Sequence, residues 1–112
     1  MAIDIRDRRE AGRLEAWDGE QLAGVIAYFV LEKEAPGALV AVHTVVEPGH
    51  EGRGIAGDLV RTFYGIAAAE GVPVVPLCPY AAAWAAKHPE VAPAPAPELV
   101  VAAEEQLAGG TG

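Results

Sequence analysis

Chemistry in this chain points first to Glu47-Pro48-Gly49-His50-Glu51-Gly52-Arg53-Gly54-Ile55-Ala56-Gly57. An apolar run, Leu39 to Val46, precedes it. An amphipathic run comes after it and ends at Glu70-Gly71. That order reads strand, glycine-rich turn, helix. Glycines at 49, 52, 54 and 57 keep side chains out of the turn, so its backbone N–H groups can approach a ligand closely. The start of the helix adds unpaired N–H groups and a partial positive charge. Together these make an anion site suited to a phosphate or pyrophosphate. A plain strand-to-helix turn uses the same residue types. The dinucleotide fingerprint is excluded, because no acidic residue lies about twenty positions beyond Gly52-x-Gly54-x-x-Gly57 to hold a ribose. A nucleotide-triphosphate loop is excluded because no Gly-Lys-Ser/Thr comes next.

Three polar side chains have apolar neighbours. His43 and Thr44 interrupt an otherwise apolar strand, so each marks either a satisfied core hydrogen bond or a site. His43 has the chemistry of a general base near neutral pH. Cys78 lies after a strand and just before a helix N-terminus, which favours the thiolate and makes it a candidate nucleophile. The other reading of Cys78 is a small buried hydrophobe. His43, His50, Cys78 and His88 show no metal-ligand spacing, so no metal is expected. The chain has no serine, which excludes a serine triad.

The elements that must position these residues are set by periodicity. Ile3 to Arg6 reads as a short strand, and Arg13 to Trp17 alternates as a half-buried strand does. Asp18-Gly19 signals a two-residue hairpin. Gln21 to Leu31 and Leu39 to Val46 are apolar on both phases, as in a sheet covered on both sides. Glu32 to Gly37 reads as the turn between them. A helix is expected over about Gly54 to Ala69, with Ala56, Leu59, Val60, Phe63, Ile66 and Ala67 on one stripe. Gly71 suits its C-terminal cap and Pro73 blocks continuation. Val72 to Leu77 reads as a short strand, parallel to its predecessor through the helical crossover. Pro79 opens a second helix, with Tyr80, Ala83, Trp84 and Lys87 on one face, and Pro89 ends it. Ala92 to Pro97 is an extended Pro/Ala segment. Glu98 to Ala108 has helix-forming residues on a tail expected to be mobile or weakly docked.

At 112 residues this is one domain, with a 52% apolar fraction that can fill a core. No apolar run approaches the roughly 20 residues that cross a bilayer. The N-terminus has no signal-peptide core, and the single cysteine fits a reducing compartment, so the reading is cytoplasmic. The formal charge of −8 disfavours nucleic acid as a partner.

Four segments occur together: His43-Thr44-x-Val46, Glu51-Gly52-Arg53-Gly54-Ile55-Ala56, Val75-Pro76-x-Cys78-Pro79-Tyr80 and Lys87-His88-Pro89-Glu90. In order and spacing they resemble the small single-domain branch of the GNAT N-acetyltransferase superfamily. That family usually has Gln or Arg where this chain has Glu51. The resemblance implies an α+β fold, a truncated GNAT-like mixed, mostly antiparallel sheet of about five strands with two main helices. It would cover residues 1–91, leaving 92–112 as linker and tail. It implies acetyl-CoA as co-substrate, an amine acceptor, and a monomer or weak dimer. The backbone of Glu51, Gly52, Arg53, Gly54, Ile55 and Ala56, with Gly57, would hold the pyrophosphate. Thr44, Val45 and Val46 would line the pantetheine arm. Cys78 and Tyr80 would lie near the thioester or the arm, and Lys87 and His88 near the nucleotide. The function so implied is acetyl transfer to an amine, through Cys78 or directly, with His43 as a base. The alternative is a non-catalytic CoA-binding or protein-interaction module on the same scaffold.

Overall fold

The computed structural model describes residues 3–31 and 37–109. Five strands lie in sequence order in one sheet: β1 (Ile3–Arg8), β2 (Arg13–Asp18), β3 (Gln21–Leu31), β4 (Ala38–Val46) and β5 (Val74–Pro76). The first four form an antiparallel meander, and β5 joins β4 in parallel. The crossover between them is helix α1 (Ile55–Glu70). Helices α2 (Pro79–Lys87) and α3 (Pro97–Gly109) come after β5, and a 3-10 turn, Arg9–Ala11, links β1 to β2. The expected turn between β3 and β4 lies, for residues 32–36, outside the described residues. The hairpin between β2 and β3 turns on Gly19-Glu20, with Asp18 still paired to Gln21, one residue later than Asp18-Gly19 suggests. No helix among the described residues is long and apolar enough to cross a membrane.

One face of the sheet carries the larger core. Leu14, Ile26, Tyr28 and Leu39 meet Leu59, Val60 and Phe63 of α1, all at most 5% exposed. Tyr28 and Phe63 pack edge to face at 5.0 Å. Each such fully buried aliphatic or aromatic side chain is worth about 1.5–3 kcal/mol. Ile55 and Tyr64 are buried too, which widens the stripe beyond the one read from periodicity. Gly24 lets α1 sit this close: a Cβ there would lie 3.0 Å from Ile55 and 3.1 Å from Leu59. At the far end, Gly71 and Val72 donate to Ala68 and Ala67 and close the helix.

The other face is covered only in part. Leu31, Ala38, Val40 and Val75 pack around Ala103 of α3, with Leu99 and Val100 beside it. The tail helix is thus seated on the sheet by a small apolar contact, with Ala103 at 0% exposure. Farther out on β2, Glu15 accepts from Arg8, Arg13 and Trp17. Burial pushes its carboxyl up, but bonds from Trp17, Arg13 and Arg8 outweigh this and hold it below the usual value.

Two irregularities set up the site. The ladder between β3 and β4 shifts so that Ala27 faces His43 while Tyr28 faces Ala41, which leaves Val42 as an extra residue. Such a bulge bends its strand and reverses the phase of the residues beyond it. The second is the short pairing of β4 with β5. It ends at Ala41 opposite Pro76, where the N–H groups of Leu77 and Cys78 both converge on the Ala41 carbonyl at 3.0 Å. Pro76 brings no N–H of its own. From there β5 turns into α2 while β4 runs on to Val46.

Candidate acyl-CoA site

Beyond Ala41, β4 pairs with β3 alone, so its other edge borders a cleft whose far wall is the start of α2. The bulge decides which side chains face that cleft. Thr44 lies opposite Ile26 and Val46 opposite Gly24, both on the α1 face. Cys78 is the N-terminal cap residue of α2, and its thiol donates to the Thr44 hydroxyl at 3.3 Å. Cys78 is 4% exposed. His43 and Val45 alternate to the opposite face, where both are exposed. The two candidate catalytic residues, His43 and Cys78, therefore stand on opposite sides of the sheet. Thr44, read only as a lining residue, is the one that meets Cys78.

At the end of β4 the chain makes a tight turn, with His50 N–H donating to Glu47 carbonyl at 3.1 Å. The Glu51 carboxylate accepts from Gly49 N–H at 2.9 Å, which turns its charge toward the loop's own backbone. Gly52 and Gly54 have φ of 79° and 77°, a region open to glycine and costly for other residues. Gly54 caps α1 without a side-chain bond, and the first helical bond runs from Asp58 N–H to Gly54 carbonyl at 3.0 Å. The N–H groups of Ile55, Ala56 and Gly57 thus lack an intrahelical acceptor. They border a recess of about 250 Å³ whose lining includes Val46, Glu51, Gly52, Gly54 and Tyr80. Val46 is two residues along the strand from Thr44, a step of roughly 7 Å on the same face. Val46 at the recess and Thr44 at the thiol thus share one face of β4.

Side chains fix the loop from below. Arg53 donates to Asp18 at 3.1 Å, and the His50 Nε2 lies 3.5 Å from the same carboxylate oxygen. Asp18 closes the β2–β3 hairpin, so the hairpin holds the glycine loop. Nothing in the sequence pairs these residues, since they are far apart in the chain and Asp18 reads as turn chemistry.

Helix α2 forms the other wall. The Tyr80 hydroxyl and Trp84 Nε1 face Gly57, at 3.6 and 3.7 Å from where its Cβ would be. Trp84 stacks on His88 at 4.0 Å and lies 6.0 Å from the Tyr64 ring, while Arg61 sits 5.2 Å over it. His88 Nδ1 is 2.8 Å from the Trp84 carbonyl, so it carries a proton there. Lys87 is exposed beside it. Lys87 and His88 stand about 10 Å along the helix from Tyr80, at about 1.5 Å per residue. A second recess, about 290 Å³, lies behind α2 among Tyr64, Pro76, Ala82, Ala85 and Pro93. Its lining is almost wholly apolar, and burial pushes the Tyr64 phenol up to about 12. Of these two recesses, the one at the glycine loop is the one that offers clustered N–H donors to an anion.

A family model described as GCN5-related N-acetyl-transferase matches residues 13–94. The crystal structure of a ribosomal-protein-alanine N-acetyltransferase from Brucella melitensis biovar Abortus 2308 aligns with a TM-score of 0.57 at 22% identity. The alignment covers 75% of this chain and 62% of that one, so this chain spans less than two thirds of the other's length. At that identity the likeness shows the fold. Comparison with curated proteins finds no match. The matched segment takes in β2 through α2, with the glycine loop, the cleft and Cys78, and on this the chain belongs to the GCN5-related N-acetyl-transferase family.

Proposed function

We propose that the protein transfers an acetyl group from acetyl-CoA to an amine. The observation that carries this reading is the cleft. Orphan N–H groups at the start of α1 lead, along the free edge of β4, to a thiol held by Thr44. A phosphate fits the first part, since aligned N–H groups and the helix dipole favour an anion. An extended chain carrying amides fits the second, because an unpaired strand edge presents N–H and C=O groups to it. The thioester then reaches Cys78 and Thr44. Lys87 and His88, farther along α2 than Tyr80, would then meet the nucleotide.

Two routes use this geometry. In the covalent route the Cys78 thiolate attacks the thioester carbonyl, the bond to the CoA sulfur breaks, and CoA leaves as its thiol after taking a proton. The amine then attacks the acetyl-cysteine, and the Cys78 sulfur leaves and regains a proton. The helix start at Pro79 supports this route. In the direct route the amine attacks the CoA thioester, and its proton passes through water to Glu47 or His43. His43 faces away from Cys78, so its service as base needs an acceptor that reaches round the strand edge. The decisive experiment combines calorimetric titration with acetyl-CoA, CoA release against a panel of amines, and intact mass after acetyl-CoA alone. Transfer with an acetyl group on Cys78 supports the covalent route. Transfer with an unmodified chain supports the direct one. Binding without transfer to any amine favours a CoA-binding module, whereas partner binding that is lost on deleting residues 92–112, with CoA affinity unchanged, favours an interaction protein with the tail as its contact element. No binding removes the acyl-CoA reading.

A further inference from the structure

His50 lines the glycine-loop recess but takes no part in either route of acetyl transfer. It is 9% exposed, and its Nδ1 is buried with no hydrogen-bond partner. The other ring nitrogen, Nε2, lies 3.5 Å from the Asp18 carboxylate. A buried polar atom left unpaired is costly, so such atoms are few and ask for an explanation. Here the orphan nitrogen belongs to a residue bordering the recess where a phosphate would sit.

The chemistry of the ring restricts what can satisfy it. A neutral imidazole has one donor and one acceptor. With its proton on Nε2, toward the carboxylate, Nδ1 is a bare lone pair. A phosphate oxygen carries no proton to give it. An imidazolium, in contrast, donates from both nitrogens, to Asp18 on one side and to an anionic oxygen on the other. We infer that His50 takes up a proton as the acyl-CoA phosphate enters, and bridges Asp18 to a ligand oxygen through Nδ1–H. The proton comes from solvent, and the ligand keeps its charge. This rests on the reading of the recess as the phosphate site. It makes His50 a proton-linked positioning residue for that ligand.

Asp18, from the end of β2, faces Nε2, and Arg53 shares its carboxylate oxygen. Glu51, in the loop, borders the same recess. From α2, Tyr80 adds a neutral phenol to the recess. A phosphate adds negative charge on the side that has no protein partner, so the balance shifts when it binds.

The test is calorimetric titration of the full chain with acetyl-CoA near pH 8, in two buffers of different ionisation enthalpy. The wild type should take up a proton, approaching one per bound ligand. Its Kd should rise with pH above neutrality, toward the limit of about tenfold per unit for one linked proton. His50→Gln should bind more weakly, show no uptake, and hold its Kd within about twofold over the same range. Asp18→Asn should reduce uptake, and nitrogen-15 shifts of the His50 ring in the wild type should move to imidazolium values on binding. Wild-type binding without proton uptake, or uptake that persists in His50→Gln, overturns the inference and leaves the recess reading intact. Absence of wild-type binding overturns both.

Discussion

The two halves of β4 differ in one neighbour. Leu39 to Ala41 lies between β3 and β5, and none of these residues is more than 1% exposed. Val42 to Val46 pairs with β3 only, and each of its residues is at least partly accessible. Apart from His43 and Thr44, the residues of both halves are small or branched apolar types. The change lies in β5, which ends at Pro76 and turns into α2. A fold can therefore make a ligand cleft from ordinary strand residues by withdrawing a partner strand. The half that keeps both partners is core, and the half that loses one borders the candidate site.

The largest test of that division is Gly54→Glu. A carboxylate at the start of α1 would occupy the phosphate position, so acetyl-CoA binding should weaken by at least about a hundredfold, some 2.7 kcal/mol. Gly54→Ala separates charge from backbone strain. Its Cβ meets no atom within 4 Å, and φ is 77°. It should cost roughly 1 kcal/mol of stability yet keep binding within tenfold. Circular dichroism and thermal melts, set beside titrations, would tell the two effects apart. Normal CoA binding by Gly54→Glu would refute the loop assignment.

Next come the strand halves themselves. Leu39→Ala should destabilise by about 2–5 kcal/mol in urea unfolding, since Leu39 is 1% exposed in the main core. Val45→Ala, at 50% exposure, should stay within about 0.5 kcal/mol. Comparable losses at both positions would mean that the halves are equally structural. A chain ending at residue 95 uncovers Val40 and Val75 by removing α3. It should lose roughly 2–4 kcal/mol of stability, while acetyl-CoA affinity stays within about twofold. A large loss of affinity would tie the outer face to the site.

A narrower test concerns the contact between Cys78 and Thr44. Thr44→Val keeps the shape but takes away the acceptor of the thiol, a net change of about 1 kcal/mol in stability. Its use is comparative. If transfer runs through Cys78, kcat should fall more for Thr44→Val than for His43→Ala, because only Thr44 faces the thiol. The reverse order would favour a base on the outer face.

Much of this fold is legible in the sequence. The bounds of β3, the run of α1, its end at Gly71 and the parallel return to β5 are set by periodicity and by glycine and proline placement. Those are local signals. The bulge at Val42 is not legible, because a strand apolar on both phases hides a change of phase. His43 and Thr44 must face opposite ways in any strand, and the one extra residue before them decides that Thr44, not His43, takes the α1 face. Asp18 and His50 carry no sequence signal for another reason: their partnership forms only when the β2–β3 hairpin folds against the loop. The seat of α3 depends on which sheet face lacks a helix, a question of topology. Glycines 52 and 54 are legible as candidate ligand-binding residues because their spacing encodes backbone, and backbone is what the recess presents.

The measurement that tests the central claim most directly is calorimetric titration of the wild-type chain with acetyl-CoA, CoA and ATP at two salt concentrations. The cleft predicts saturable binding of acetyl-CoA and CoA, weaker at high salt, with ATP bound poorly because it has no arm to lay along β4. Equal affinity for ATP, or no binding of acetyl-CoA, would contradict it.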